Sequence, residues 1–262
     1  MKYKKTMILL VLAIFIFGVA SVCASDVNET TIATQEDNQM ELTLTEDEIQ
    51  TNENDNMLTQ TEDAEILSSG EGTYSDLRND INSGGNLTKS HYRYNDGDGG
   101  TIEIKTSGVI NGNGAVIDMA ESNIRAFTVS VSGVTIKNLT IINANYGDVG
   151  GAIYFDRTGT VTNCNFTDIT AIGYGGAVYF NGKGDVTKCN FVDNQATGDY
   201  ACGGAVYFVD SGSVSNCNFT GNTATYYGGA VYFYQGTGEV TNCNFTNNTA
   251  KMGKAIYINN KC

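Results

Sequence analysis

Proline and tryptophan are absent from the 262 residues, histidine occurs once, and 15 lysines and arginines face 29 acids. Each shortage narrows the field. Without proline, the turns fall to glycine, asparagine, aspartate and serine, which favour tight turns through their own backbone and side-chain chemistry. Without a basic stripe, there is no electrostatic footprint for nucleic acid. The lone histidine, His91, reads as an ordinary side chain on a coil. The cysteines form neither a Cys-x-x-Cys pair nor a Cys/His cluster, so no zinc pattern is present and no cofactor is expected. Helical periodicity is scarce as well: no apolar spacing of three and four runs long enough for a core helix.

What the chain has is a repeat. Gly228-Gly229-Ala230-Val231-Tyr232-Phe233, followed by Val240 and Cys243-Asn244-Phe245, has near copies beginning at Gly150, Gly175 and Gly203. A fifth opens at Gly253-Lys254-Ala255-Ile256-Tyr257-Ile258. The glycines at 150, 175, 203, 228 and 253 give steps of 25, 28, 25 and 25 residues, a period that marks a solenoid. Each unit holds short runs of Val, Ile, Tyr, Phe and Thr between Gly, Asn, Asp and Ser, which is strand and turn chemistry. If one unit is one turn, equivalent residues stack about 4.8 Å apart on parallel strands. Val161, Val186, Val214 and Val240 then form one internal column, and Phe166, Phe191, Phe219 and Phe245 another. The fold expected is all-β, a single-stranded parallel β-helix.

Polar positions fit that coil. Asn194, Asn222 and Asn248 fall three residues after the column phenylalanines, with Ile169 in the first unit, and asparagines at one height form a ladder. The Gly-Gly pair supplies positive φ or close backbone approach where the chain bends.

Gly-Gly-Ala-Val/Ile paired in register with Phe-x-x-Asn resembles the repeat of chlamydial polymorphic membrane proteins. The layout is more similar still to adhesin-like surface proteins of methanogenic archaea, over about residues 74–262. The resemblance implies a right-handed helix of the pectin-lyase type and a secreted or cell-surface location. Ile169 and Lys254 depart from the repeat pattern and are expected to weaken individual rungs.

At the N-terminus, Lys2, Lys4 and Lys5 precede an apolar run from Met7 to Ala20 and a small-residue site at Val22-Cys23-Ala24, the form of a secretory signal peptide over 1–24. Fourteen apolar residues are short for a membrane span of about 20, so a retained anchor is the lesser reading. Val22 stands where a lipidated Cys23 would want a small residue. Residues 26–67 carry thirteen acids and no base, so 25–67 is expected to be a solvated, disordered spacer. Sixteen acids and twelve bases remain over 68–262, the expected β-helix domain.

Tyr74 to Asn82 is the one plausible helix, with apolar residues at 74, 77 and 81 and Gly84-Gly85 to end it. It suits a plug on the open end of a coil. Residues 86–149 read as irregular first coils, with apolar runs at 102–104, 109–110, 116–117, 127–131, 134–136 and 139–142. Six or seven coils make a rod about 30 Å long. No second cap is evident after Ile258; a secreted chain and a shortened relative of a longer surface protein both fit.

Cys164, Cys189, Cys217 and Cys243 share one repeat position. Stacked neighbours have separations compatible with disulfides, but parallel side chains favour a reduced, buried column. Cys202 and Cys262 are free to pair or not. Asn95 to Gly100 resembles a calcium-loop fragment without its downstream acid, and an acidic turn is the preferred reading. Asn-x-Ser/Thr sites at Asn28, Asn86, Asn138, Asn165, Asn218, Asn244 and Asn247 are glycan-acceptor candidates, those within strands being accessible only in part. Tyr154, Tyr179, Tyr207, Tyr232 and Tyr257 form a further column that alternation sets opposite Val178 and Phe180. Outside, they make an aromatic strip able to meet sugars or proteins; inside, they are core.

Function follows from these parts. A non-enzymatic adhesin-like protein is expected, meeting cell-surface glycans or proteins through an outer sheet face and loops. It is expected to have no membrane span once the leader is removed. The rivals are a polysaccharide lyase or hydrolase, which needs clustered carboxylates or a base with cations, and a passive surface stalk. Asp156, Asp168, Asp185, Asp193, Asp199 and Asp210 sit singly at turns, and Arg157 is the only arginine of the repeats.

Overall fold

The structure, a computed structural model, describes residues 68–259. The expected leader and spacer over 1–67, with Cys23 and Asn28, and the terminal Cys262 lie outside the described residues.

Alternation fixes the architecture. In Val178-Tyr179-Phe180, Val178 and Phe180 are buried and Tyr179 points the other way. Repeating this every coil produces four parallel sheets among the described residues, with eight, seven, six and four strands. The result is a parallel β-solenoid of about seven turns.

One coil shows the path. Ile153–Phe155 lies in a first wall of seven strands, Gly159–Thr162 in a second of six, Asn165–Thr167 in a third of eight, and Thr170–Ala171 in a short fourth of four. Neighbouring coils pair in strict register: Ile153 with Val178, Val161 with Val186, Phe166 with Phe191, and Ala171 with Ala196.

The interior is stacked rather than mixed. Phe166, Phe191, Phe219 and Phe245 stack with ring centroids 5.0, 4.8 and 4.9 Å apart. Phe155, Phe180, Phe208 and Phe233 form a second ring column at 4.7, 5.0 and 4.8 Å. Such offset stacks add to the burial of each ring. Val161, Val186 and Val214 are buried between them, and Val240 packs on the same core.

The asparagine ladder is internal. Asn222 Oδ1 accepts from the Asn194 backbone N–H (3.0 Å) and side-chain amide (2.9 Å). The Asn222 amide donates to the Phe191 carbonyl (3.0 Å) and to Asn248 Oδ1 (3.0 Å). At the first rung the Ile169 N–H donates to Asn194 Oδ1, so an apolar side chain there ends the ladder without breaking it.

The two glycines of the pair do different work. Gly175 has φ +65°, a left-handed turn. Gly176 has no room for a side chain: a Cβ there would meet the carbonyl oxygens of Gly204 and Gln195. Lys254 occupies this second position in a coil with no further coil stacked on it among the described residues.

Cys164, Cys189, Cys217 and Cys243 are free thiols in one column. Each donates to carbonyls at the corner between walls, as Cys189 does to Thr187 (3.2 Å) and Val161 (3.7 Å). Burial raises the Cys189 thiol well above its usual pKa.

Helix Tyr74–Asn82 covers the first coil. Thr73 and Asp76 form a capping box, and Tyr74, Leu77 and Ile81 are buried. The Tyr74 hydroxyl donates to the Ala126 carbonyl (3.0 Å), which ties the cap to the coils. At this end two strands went unread in the sequence: Ser68–Thr73 pairs in parallel with Lys89–Arg93 ahead of the first full coil.

Candidate functional site

The tyrosine column lies outside the tube, on the outer face of the first wall, yet it is not an open strip. Tyr154, Tyr179, Tyr207, Tyr232 and Tyr257 stack at 5.4, 5.1, 5.0 and 5.6 Å, so their ring faces are spent on each other. Cys202, Val209, Tyr226, Tyr227 and Tyr234 join Tyr179, Tyr207, Tyr232 and Tyr257 in an apolar cluster separate from the main core. Tyr207 is 5% and Tyr232 4% exposed. Of the two readings the sequence left open for this column, an outer strip or core, the structure shows a mixture: the tyrosines stand outside the tube, but Tyr207 and Tyr232 at the centre form a satellite core because neighbouring loops fold across them. Burial pushes the Tyr179 phenol up to about 12 and raises Tyr154, Tyr207 and Tyr232 as well. The Cys202 thiol, buried within these loops, is pushed up to about 11.

Arg125, missed in the sequence, closes one end of this stack. It is buried, with its guanidinium 4.9 Å from the Tyr154 ring and 4.2 Å from that of Tyr146. A planar guanidinium stacks on aromatic faces in this way and is weakly enough hydrated to be buried there. Its position, two residues before Phe127, is held by glycine in the four full repeats and by Lys254 in the last coil, so a departure from glycine is the signal that marks it.

The accessible aromatic surface is the crest of the covering loops. Of the large hydrophobic residues exposed among the described residues, Ile172, Tyr174, Tyr200 and Met252 lie there, and Val109 lies elsewhere. Tyr174 stacks on Tyr207 at 4.9 Å. Tyr200, 69% exposed, meets Tyr226 edge to face at 5.4 Å. Tyr226 stands perpendicular to Tyr227 at 4.4 Å, and Lys251 Nζ lies 4.8 Å from the Tyr226 ring.

The single long step of the repeat explains Tyr200. Between Ala196 and Gly203 the chain is three residues longer than between Ala171 and Gly175 or Ala224 and Gly228. The insertion leaves the ladder intact, since Ala196 pairs with Ala224 and Val206 with Val231. Its turn, closed by Ala201 N–H to the Gly198 carbonyl (3.0 Å), lifts Asp199 and Tyr200 out of the wall.

The polar candidates have structural partners. On the outer third wall His91 and Arg93 share a strand, and Asp118 lies beside Arg93 in the next. Asp118 accepts from Arg93 (2.5 Å), the Ala120 N–H (2.9 Å) and Asn143 (3.1 Å), which holds the left-handed turn at Ala120. Asp156 pairs with Arg157 at 3.2 Å. Asp168 and Asp193 take left-handed turn positions, and Asp185 accepts from Ser213. Asn95 to Gly100 folds as a turn, with Asp98 accepting from the Asn95 N–H at 2.8 Å. Among the described residues, no three of His, Cys, Asp and Glu are placed to hold a metal ion, and no helix is long and apolar enough to cross a membrane.

A second asparagine ladder, not foreseen, runs along the outside of the third wall. Asn190 donates to Asn165 (2.7 Å), Asn218 to Asn190 (2.7 Å) and Asn244 to Asn218 (2.9 Å). The acceptor candidates Asn165, Asn218 and Asn244 are thus exposed but have their amides engaged. Asn86 and Asn247 are exposed, and Asn138 is half-buried.

Residues 123–262 match the family model described as right handed beta helix region. No curated protein and no solved structure matches the chain.

Proposed function

On the premise that this chain belongs to the right-handed β-helix family, we propose that it is a non-enzymatic, adhesin-like protein of the cell surface or secreted fraction. Its binding surface is the loop crest carrying Ile172, Tyr174, Tyr200, Tyr226 and Met252. The observation that carries this reading is the insertion at Gly198 to Ala201. The scaffold needs no such loop, and it places the most exposed large aromatic side chain among the other exposed apolar residues of the repeats. In solenoids, insertions of this kind map to loops on one face, often the binding face. Exposed apolar groups gathered in one place mark interaction sites more often than scattered ones do.

Three sequence features support the rest. The leader-like start at Met1 to Ala24 and the acidic stretch after it suit export and a spacer. The paired Gly-Gly-Ala-Val/Ile and Phe-x-x-Asn motifs resemble those of adhesin-like surface proteins. Asp118, the buried carboxylate opposite Arg93, accepts from Arg93, Ala120 and Asn143, which suits a turn-holding role better than acid–base catalysis.

The test incubates the purified protein with whole cells and immobilised polysaccharides, measuring retained protein and released sugar. Retention without release is expected, reduced by Tyr200→Ser, whose ring is mostly in solvent and whose loss leaves the core intact. Sugar release would overturn the non-enzymatic reading. Retention that Tyr200→Ser and Tyr174→Ser leave unchanged would move the site off the crest.

A further inference from the structure

Resting on the export part of that reading, we infer that the folded chain is the substrate of an N-glycosylation step and carries its glycan on Asn247. Six Asn-x-Thr sites lie among the described residues, and the structure sets one apart from the other five. Transfer to a folded chain needs an acceptor carboxamide at the surface, with the hydroxyl two residues on also open to the transferase. Asn165, Asn218 and Asn244 stand in strands, and their amides donate to Thr140 (3.1 Å), Asn190 (2.7 Å) and Asn218 (2.9 Å). Asn138 donates to Asn111 (2.9 Å) and accepts from Asn163 (2.8 Å), while the Thr140 hydroxyl of its motif is held by Asn165. Asn86 is exposed, but the Thr88 hydroxyl of its motif donates to Asp80 (3.0 Å).

Asn247 differs on each count. It and Thr249 are both exposed, and among the described residues neither the Asn247 carboxamide nor the Thr249 hydroxyl has a hydrogen-bond partner. Asn247 sits at a corner turn, with φ +55°, just past the strand Asn244–Thr246. Gly221 holds the same corner of the preceding coil, so the adjacent rung puts no side chain of its own against Asn247. The donor class is an oligosaccharide joined through C1 of its first sugar to a lipid diphosphate. The Asn247 amide nitrogen bonds to that C1 and gives up one proton; the C1–oxygen bond breaks, and its electron pair leaves with the lipid diphosphate. The position also has a physical consequence. Asn244–Thr246 is the outermost strand of the eight-stranded sheet among the described residues. A bulky, solvated glycan on the next residue opposes addition of another chain's strand to that edge.

The test recovers the full protein from the medium and envelope of the cells that make it naturally. Its peptides are mapped by mass spectrometry, with fragmentation that keeps a glycan on its asparagine. Glycan is expected on Asn247 and not on Asn86, Asn138, Asn165, Asn218 or Asn244. Thr249→Ala, which leaves the turn residue in place, is expected to abolish it, and Asn244→Gln to leave it unchanged. An exported chain bare at Asn247 would overturn the site and leave the surface-protein reading standing. Glycan spread over Asn165, Asn218 and Asn244 would do the same, because it would show that the folded ladder does not select the acceptor. A chain found only inside the cells would remove both.

Discussion

Asn222 and Asn218 lie four residues apart in one coil, each in an asparagine ladder, one inside the tube and one outside. Changing each to alanine tests whether burial or the ladder itself sets the energetics. Asn222 is fully buried and serves four hydrogen bonds. Asn222→Ala leaves the Asn194 backbone N–H and one N–H of its side-chain amide without an acceptor in a dry interior, at about 1–3 kcal/mol each. With the small cavity added, a loss of about 3–5 kcal/mol is expected. That is a third or more of the stability of a typical domain. Asn218 is exposed, and water takes over its bonds to Asn190 and Asn244. Asn218→Ala should cost about 0.5 kcal/mol. Urea unfolding followed by far-ultraviolet circular dichroism reads both, provided the transitions are single and of equal slope. Equal losses in the two variants would refute the argument that desolvation, rather than ladder continuity, makes the inner column essential.

Two further outcomes follow from the same packing. Gly176→Ala should cost about 3 kcal/mol in the same urea experiment, because the new methyl meets carbonyls of Gly204 and Gln195 fixed in the coil; Gly100→Ala, whose methyl meets nothing, should stay within about 0.5 kcal/mol. In alkali, Tyr92 and Tyr179 are pushed up to about 12 by burial, against about 10 in the unfolded chain. Their contribution is whole below pH 10 and is lost as pH rises from about 10 through 12. Tyrosinate absorbance should therefore show a late step that coincides with unfolding; smooth titration of all tyrosines near 10 would contradict the buried column.

Much of this fold is legible in the sequence because a solenoid repeats its physics. The glycine period gives the coil, Phe191 and Val186 mark the core columns, and Tyr74, Leu77 and Ile81 mark the helical cap. Alternation also places Tyr207 opposite Val206 and Phe208. What it does not determine is whether an outward side chain meets water, since that depends on loops such as Thr225 to Tyr227 folding over the wall. For the same reason the packing of Arg125 on Tyr154 cannot be read from periodicity, and the recurrence of Asn165, Asn190, Asn218 and Asn244 does not tell amides bonded to each other from amides bonded to water. The strand at Ser68–Thr73 escaped because its glycines and serines carry no apolar alternation; pairing with Lys89–Arg93 defines it. The fourth wall, with two-residue strands such as Thr170–Ala171, is too short to leave a pattern. The crest was legible in one respect only, as the single step of 28 residues.

That step has an evolutionary consequence. The backbone pairing on either side of Gly198 to Ala201 does not register the added length, so the crest can change its reach and chemistry while every rung beneath it stays the same. Recognition and foldability are thereby mutationally separate in this chain. A new loop grafted between Ala196 and Gly203 would inherit a ready-made foundation, and each further coil would offer another place to graft one.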